Sequence, residues 1–300
     1  MYDWRVKALM TWIEENSTNG KLSMEKLTEA GHLDQYHYLG LAANDQVIKI
    51  LGLREGMTVL DVGCGIGGPA RYLAWKSGAC VTGVDIQDAL VKAGNHVSTL
   101  VGLSDKVQLV TGDVTDESVM EPNKFDAFVS LLVILHIADR KALFSSLFKS
   151  LKEGGAFLIE DMVFVGSSAF SAQQLEIAQD VIGSPFLPTI EQYQQHLAEA
   201  GFLDVGFELL TSEWTEWCIC RSDRYNASKE EQIRMHGEKV FGQRSSFYAN
   251  VKNLFLSGKL GGVRITGRKP NHFEQSLRSH RSGRSSKNLD SRSVPVRIIE

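Results

Sequence analysis

Three carboxylates follow three hydrophobic runs at spacings that could hold one ligand: Asp61, Asp85 and Asp113. Asp61 belongs to Val59-Leu60-Asp61-Val62-Gly63-Cys64-Gly65-Ile66-Gly67-Gly68-Pro69-Ala70-Arg71, which reads as a buried strand entering a glycine loop and then a helix. Gly63, Gly65 and Gly68 satisfy the GxGxxG pattern, which many βαβ units share. Asp61 narrows the ligand. Two residues before the first glycine, its carboxylate faces the crevice where a dinucleotide would need to set a pyrophosphate, and two anions there repel. A nicotinamide oxidoreductase is therefore disfavoured, and a cationic ligand is expected. S-adenosylmethionine (SAM) carries an ammonium and a sulfonium and no phosphate, while close backbone approach still calls for glycine.

The next hydrophobic run, Val81-Thr82-Gly83-Val84-Asp85, ends in an acid 22 residues after Gly63, where βαβ folds set a carboxylate on ribose hydroxyls. Gln87, just beyond, is in reach of ribose or adenine. A third run, Val107 to Thr111, leads into Gly112-Asp113-Val114; Asp113 is suited to accept from an adenine amino group and Val114 to pack the ring. Each acid alone also reads as a surface loop residue. Their shared register after successive strands argues for one site.

LDVGCGIGG, VTGVD and TGDV together resemble class I SAM-dependent methyltransferases over roughly residues 40 to 268. GCGIGGPARYLA is similar to the group that includes sterol, tocopherol, phosphoethanolamine and sarcosine/dimethylglycine methyltransferases. Phe125-Asp126 through Ser130 to Leu135-His136, and Leu151 to Gly155, are similar in spacing to the amine-methylating members. The resemblance implies SAM as cofactor, with Cys64, Gly67, Ile86 and Ser130 added to its binding set. It also implies that an amino-terminal segment closes over SAM and contributes a tyrosine, and Tyr36 is taken from that segment as a catalytic candidate beside His136. Amine-methylating relatives tend to have an Asp where this chain has Leu132, and that departure weighs toward carbon methylation of a sterol or prenyl lipid.

Methyl transfer from a sulfonium is an in-line displacement, so alignment of the acceptor matters first, at ~7 to 11 kcal/mol. A base is needed only for an acceptor that arrives protonated. His136, just beyond the fourth strand, is the candidate base, because histidine ordinarily titrates near neutrality. The alternative is a histidine that bonds backbone and shapes its loop. Glu160 and Asp161 are expected to end the fifth strand and face a cationic acceptor, unless strand alternation turns one outward. In Tyr36-His37-Tyr38, an extended backbone would send the two phenols one way and the imidazole the other. Tyr38 is assigned to the substrate pocket, with core packing as the alternative. Trp214 and Trp217 share a helical face and could line a lid with cation-π attraction for an ammonium, although at least one is expected in the core. Arg71 reads as a structural ion-pair residue.

These residues need a scaffold, and the pattern supplies one. Strands at 57–62, 80–85, 107–111, 125–132 and 155–161 alternate with helices near 68–77, 88–101, 115–120 and 139–151. That alternation implies an α/β fold, a parallel sheet with helices on both faces; the family resemblance implies that two late strands close it as an antiparallel pair, giving a Rossmann-like, seven-stranded and mostly parallel sheet. A helix at 189–200 has Thr189 as N-cap, Gln192 three residues on and Gly201 as its stop. Two late strands, 202–210 and 262–266, enclose a helical insertion. The expected organisation is a helical cap over 1–55, a methyltransferase domain over 56–269 with a cover at 211–258, and a tail at 270–300. The tail holds seven serines and six Lys/Arg against three Asp/Glu, and reads as disordered.

Composition limits the partners. The chain has 300 residues, 43% apolar content and a net charge of −4, with no clustered basic face before the tail. Nucleic acid is not an expected partner. The apolar run Ala127–Leu135 is about half of the ~20 residues a membrane span needs, and Asp3, Glu14 and Glu15 interrupt any leader. Four cysteines, at 64, 80, 218 and 220, form neither a disulfide framework nor a zinc spacing. No metal is expected, and a reducing cytoplasm is the expected setting. A small molecule is the expected partner; a non-catalytic SAM-binding protein is the remaining alternative. The oligomeric state is not specified by the sequence.

Overall fold

The computed structural model describes residues 3–274 and 298–299. The chain opens with α1 (Asp3–Asn16), α2 (Met24–Thr28), a 3-10 turn at Gly31–Leu33 and α3 (Leu41–Leu51). Then β1 (Thr58–Val62), α4 (Gly68–Ser77), β2 (Cys80–Asp85), α5 (Asp88–Leu100) and β3 (Val107–Thr111) form the first half of the sheet. β4 (Phe125–Leu131), a 3-10 turn at Ile134–His136, α6 (Arg140–Ser150) and β5 (Leu151–Phe164) follow. The last part holds α7 (Ala172–Glu176), a π-helical turn at Ile177–Val181, α8 (Ile190–Ala200) and β6 (Leu203–Leu209). It continues through α9 (Thr211–Ala227), α10 (Lys229–His236), α11 (Glu238–Leu256) and β7 (Leu260–Arg268).

Among the described residues seven strands run in the order β3-β2-β1-β4-β5-β7-β6, and β8 (Ile298–Ile299) adds a two-residue parallel pairing on β6. β7 alone among the seven is antiparallel to its neighbours. This is the Rossmann-like, mostly parallel sheet expected above, with the closing antiparallel strand that the resemblance added. Strand order reverses between β1 and β4, and open α/β sheets bind ligands outside the carboxyl ends of strands at such a switch point.

The sheet is buried on both faces. Leu60, Phe128 and Phe157 pack with Leu147 of α6 and Tyr193 of α8, while Val59, Val81 and Leu158 pack with Val47 of α3 and Leu73 of α4. The amino-terminal helices bury Leu9, Ile13 and Leu27 against Ile66 and Val97. A fourth cluster joins Tyr38 to Trp214, Cys218, Leu254 and Phe255 of the helices between β6 and β7. No helix of the described residues is long and apolar enough to cross a membrane.

Two expectations are corrected. Residues 115–120 are turns, because the Asp113 and Asp116 carboxylates accept from the backbone N–H groups of Thr115 and Ser118 and divert them from a helix. β5 is longer than expected, so Glu160 and Asp161 lie inside it. Of the tail, residues 275–297 and 300 lie outside the described residues.

Candidate cofactor and acceptor site

Asp61 is the fourth residue of β1 and is buried to 2% exposure. It accepts from the Ala70 N–H of α4, and its Oδ2 has no partner. Burial and the neighbouring Asp85 carboxylate raise its pKa to about 7. An acid held in this state is stabilised in its ionised form by an added cation. Asp85, the last residue of β2, accepts from Gly65 N–H at 2.8 Å and from Gln87 N–H at 2.8 Å. It therefore fixes the glycine loop, and each oxygen keeps a second lone pair.

The loop glycines serve different needs. Gly63 has φ +67°, and a Cβ there would collide with Val133, just past β4. Gly65, at φ +53°, faces open space whose nearest side-chain atom is Tyr36 Cδ2, 3.9 Å from a Cβ position. Backbone approach by a ligand is thus available at Gly65, beneath the Tyr36 ring. Gly67 is the N-cap of α4 at φ +78°, and Cys64 is buried with its Sγ toward the Gly65 carbonyl.

Of the remaining cofactor candidates, Ile86 is 69% exposed and Val114 is buried. Asp113 is exposed, and its Oδ1 takes both the N–H and the hydroxyl of Thr115. Ser130, in β4, is fully buried with an unpartnered hydroxyl. Leu132, immediately after β4, adopts φ +58° while its N–H donates to the Glu160 carbonyl. A leucine in the left-handed region is strained, and such strain clusters at functional sites.

His136 is exposed and its Nδ1 lies 2.9 Å from the Gly183 carbonyl. A carbonyl only accepts, so Nδ1 carries the hydrogen and the neutral ring keeps its lone pair on Nε2. Asp161 is fully buried and accepts from Tyr193 Oη at 2.6 Å and from its neighbour Met162 N–H. Burial raises its pKa to about 6 against the opposing effects of Tyr193, Arg140 and His136. Glu160 turns the other way and pairs at 2.7 Å with Arg264, its register partner on β7.

The amino-terminal segment is held over this site from below. Arg71 on α4 pairs with Asp34 and donates to the Ile66 carbonyl at 2.7 Å and the Gly94 carbonyl at 3.1 Å. Residues 36–38 form a bend rather than an extended run. Tyr36 consequently lies at the glycine loop, whereas Tyr38 enters a cluster with Trp214 at 4.8 Å, Trp217 at 4.5 Å and Phe255 at 6.2 Å between ring centroids. Trp214 is fully buried against Gly262 of β7; its partner Trp217 is the tryptophan that reaches a cavity. Sequence reading missed Asp34, Gly183 and Tyr193, whose partners are 37, 47 and 32 residues away.

The family model described as mycolic acid cyclopropane synthetase matches residues 37–264. A phosphoethanolamine N-methyltransferase of Triticum aestivum is 35% identical over 234 residues, 73% of this chain and 44% of the relative. A sterol 24-C-methyltransferase of Pneumocystis carinii is 33% identical over 180 residues, 59% of this chain and 44% of the relative. The chain thus spans less than half the length of these curated relatives. Among solved structures, phosphoethanolamine N-methyltransferase 2 of Haemonchus contortus, in complex with phosphomonomethylethanolamine and S-adenosylhomocysteine, superposes with TM-score 0.70 at 25% identity. It covers 77% of this chain and 53% of that one. A cyclopropane synthase of Mycobacterium tuberculosis gives TM-score 0.68 at 20% identity over 76% and 84% of the two chains.

Proposed function

Because the chain belongs to the mycolic acid cyclopropane synthetase family, we propose that it is a SAM-dependent methyltransferase whose acceptor is a small molecule, the nitrogen of a small amine. One observation carries the cofactor in this reading: the unpartnered Asp61 Oδ2, on a carboxyl whose pKa is raised to about 7 beside Asp85, at a glycine loop that leaves room at Gly65; the nitrogen acceptor is supported by the similarity to phosphoethanolamine N-methyltransferases. Such a site favours a cation and disfavours a pyrophosphate. The bound complexes of similar enzymes, with S-adenosylhomocysteine in one and S-adenosyl-L-methionine in another, support the cofactor.

SAM, when bound, supplies an electrophilic methyl group on sulfur. Asp61 and the loop from Gly63 to Gly67 hold its amino acid part, Asp85, Ile86 and Gln87 its ribose, and Asp113 and Val114 its adenine. Ser130 adds a buried hydroxyl on the same side of the sheet's switch point. Tyr36, over Gly65, covers the site and excludes water. His136 takes a proton from the acceptor at Nε2, the nitrogen left free by its bond to Gly183. The buried acid Asp161, close enough to sense the charge of His136, stabilises the imidazolium that results. Glu160, Tyr38 and Trp214 support the pocket wall through packing and ion pairing rather than direct contact with the acceptor.

Leu132 favours a second reading, carbon methylation of a sterol or prenyl lipid, since an apolar side chain stands where amine methylators tend to have an acid. Incubation with purified amines and with sterols separates the two: a carbon-methylated product with amines inert removes the first reading. The residue spans 1–55 as a cap, 211–258 as a cover and a cytoplasmic location belong to the same proposal.

A further inference from the structure

His136 keeps a free Nε2 through one contact, the 2.9 Å bond between its Nδ1 and the Gly183 carbonyl. The two residues are 47 apart in the chain, so whatever holds them in register decides which ring nitrogen can take a proton. Arg140 touches both sides.

Arg140 is the first residue of α6 and is 3% exposed. Each of its three nitrogens donates to a different segment. Nε donates at 2.5 Å to the carbonyl of Ile137, the residue after His136. Nη2 donates at 3.5 Å to the carbonyl of Phe186, in the loop that begins at Gly183. Nη1 donates at 3.1 Å to the Tyr193 hydroxyl, which in turn donates to Asp161 at 2.6 Å. One guanidinium therefore ties together the turn that carries His136, the loop that supplies its acceptor, and the buried acid of β5.

The loop is pinned from its other end as well. The N–H groups of Ile182 and Ser184 donate back to the Ile177 and Ala178 carbonyls of the π-helical turn, at 3.0 and 2.9 Å. Such turns recur at functional sites. Gly183, between them, has φ +79°, and a Cβ there would stand 3.4 Å from His136 Nδ1. Pro185 then fixes its own φ and restricts Ser184 before it, so the hold on Phe186 is passed to Gly183 through a stiff link.

Packing alone does not call for an arginine here. The three acceptors are two carbonyls and a phenol, all neutral, and a buried charge is costly unless its hydrogens are satisfied. An apolar side chain would fill the space at lower cost. What arginine adds is a planar fork that addresses three acceptors at once, which the compact ammonium of a lysine does not reproduce. Asp161, beyond the Tyr193 hydroxyl, balances the charge without drawing the guanidinium off the carbonyls.

We propose that Arg140 is a positioning residue for His136: it braces the His136 turn against the Gly183 loop and so sets the ring with its hydrogen on Nδ1 and its lone pair on Nε2. The inference rests on the reading of His136 as the base, yet the tautomer is measurable without turnover.

The test is heteronuclear NMR of the full chain with isotope-labelled histidine, in alkaline buffer where imidazole is neutral. The His136 signal is identified by its loss in His136→Ala. In the unmodified chain His136 is expected in the Nδ1–H form. Arg140→Lys keeps the charge and loses the fork. With its circular dichroism unchanged, His136 is expected to move toward the Nε2–H form that free imidazole favours. The methylation rate is expected to fall roughly ten- to a hundredfold with SAM affinity preserved, as misplacement of a reacting group costs. Tyr193→Phe removes one acceptor of three and should shift the tautomer less. An Nε2–H His136 in the unmodified chain, a result that needs no variant to fold, would overturn the proposal, as would an unshifted tautomer in folded Arg140→Lys. A shifted tautomer at full methylation rate would uphold the brace and remove His136 as the base, which separates the two failures.

Discussion

Asp34 and Arg71 form an ion pair of 2.5 Å with side chains 3% and 0% exposed. The same guanidinium donates to the Ile66 carbonyl inside the glycine loop. One buried charge therefore ties the segment bearing Tyr36 to the loop beneath it. Removing one partner of a buried pair leaves the other charge stranded, at about 3 to 5 kcal/mol. Asp34→Asn is expected to lower unfolding free energy by roughly that amount and to weaken SAM binding, measured by urea denaturation and calorimetry. Unchanged values would detach the segment from the loop.

Asp61 gives a pH signature. Its folded pKa is about 7, whereas an unfolded aspartate titrates near 4. Between these values the folded state binds more protons, so its contribution lowers stability as pH rises from about 4 to about 7 and is constant above. Asp61→Asn should flatten this slope in urea midpoints recorded across the range.

Binding runs the other way at the same residue. A cation beside Asp61 favours its ionised form, so SAM affinity should rise as pH rises toward 7, with proton release visible when calorimetry is repeated in buffers of different ionisation enthalpy. Asp61→Asn should abolish the release.

Asp85→Ala removes the acceptor for Gly65 and Gln87 N–H as well as the proposed ribose ligand. SAM binding should weaken by ~1.5 to 3 kcal/mol, the loss of a charge-assisted hydrogen bond. Equal calorimetric affinity in the variant would reject the assignment.

His136→Ala should lower the methylation rate and leave SAM affinity intact, because the ring bonds Gly183 and touches no cofactor candidate. A variant that retains full rate would confine His136 to shaping the loop.

What the sequence made legible was local. The strand–glycine–helix unit is a contiguous pattern, and Thr189 with Gln192 forms the capping box its spacing implied, both bonds present. The placement of Asp61 and Asp85 was legible because each follows a hydrophobic run that forms a strand, and both lie toward the strands' carboxyl ends. Relationships across the fold left no such trace: nothing near Asp34 points to Arg71, and nothing near His136 points to Gly183. Trp214 and Trp217 were indistinguishable by spacing, and only the approach of α9 to Gly262 separates the buried ring from the one at the cavity. At 115–120 the apparent helix failed because two aspartates compete for its backbone.

The most direct test of the central claim is incubation of the chain with methyl-labelled SAM and a small-molecule extract, followed by identification of the labelled product. Label on the nitrogen of a small amine is the predicted result. Saturable SAM binding with no label leaving the cofactor, or nicotinamide dinucleotide bound in place of SAM, would contradict it.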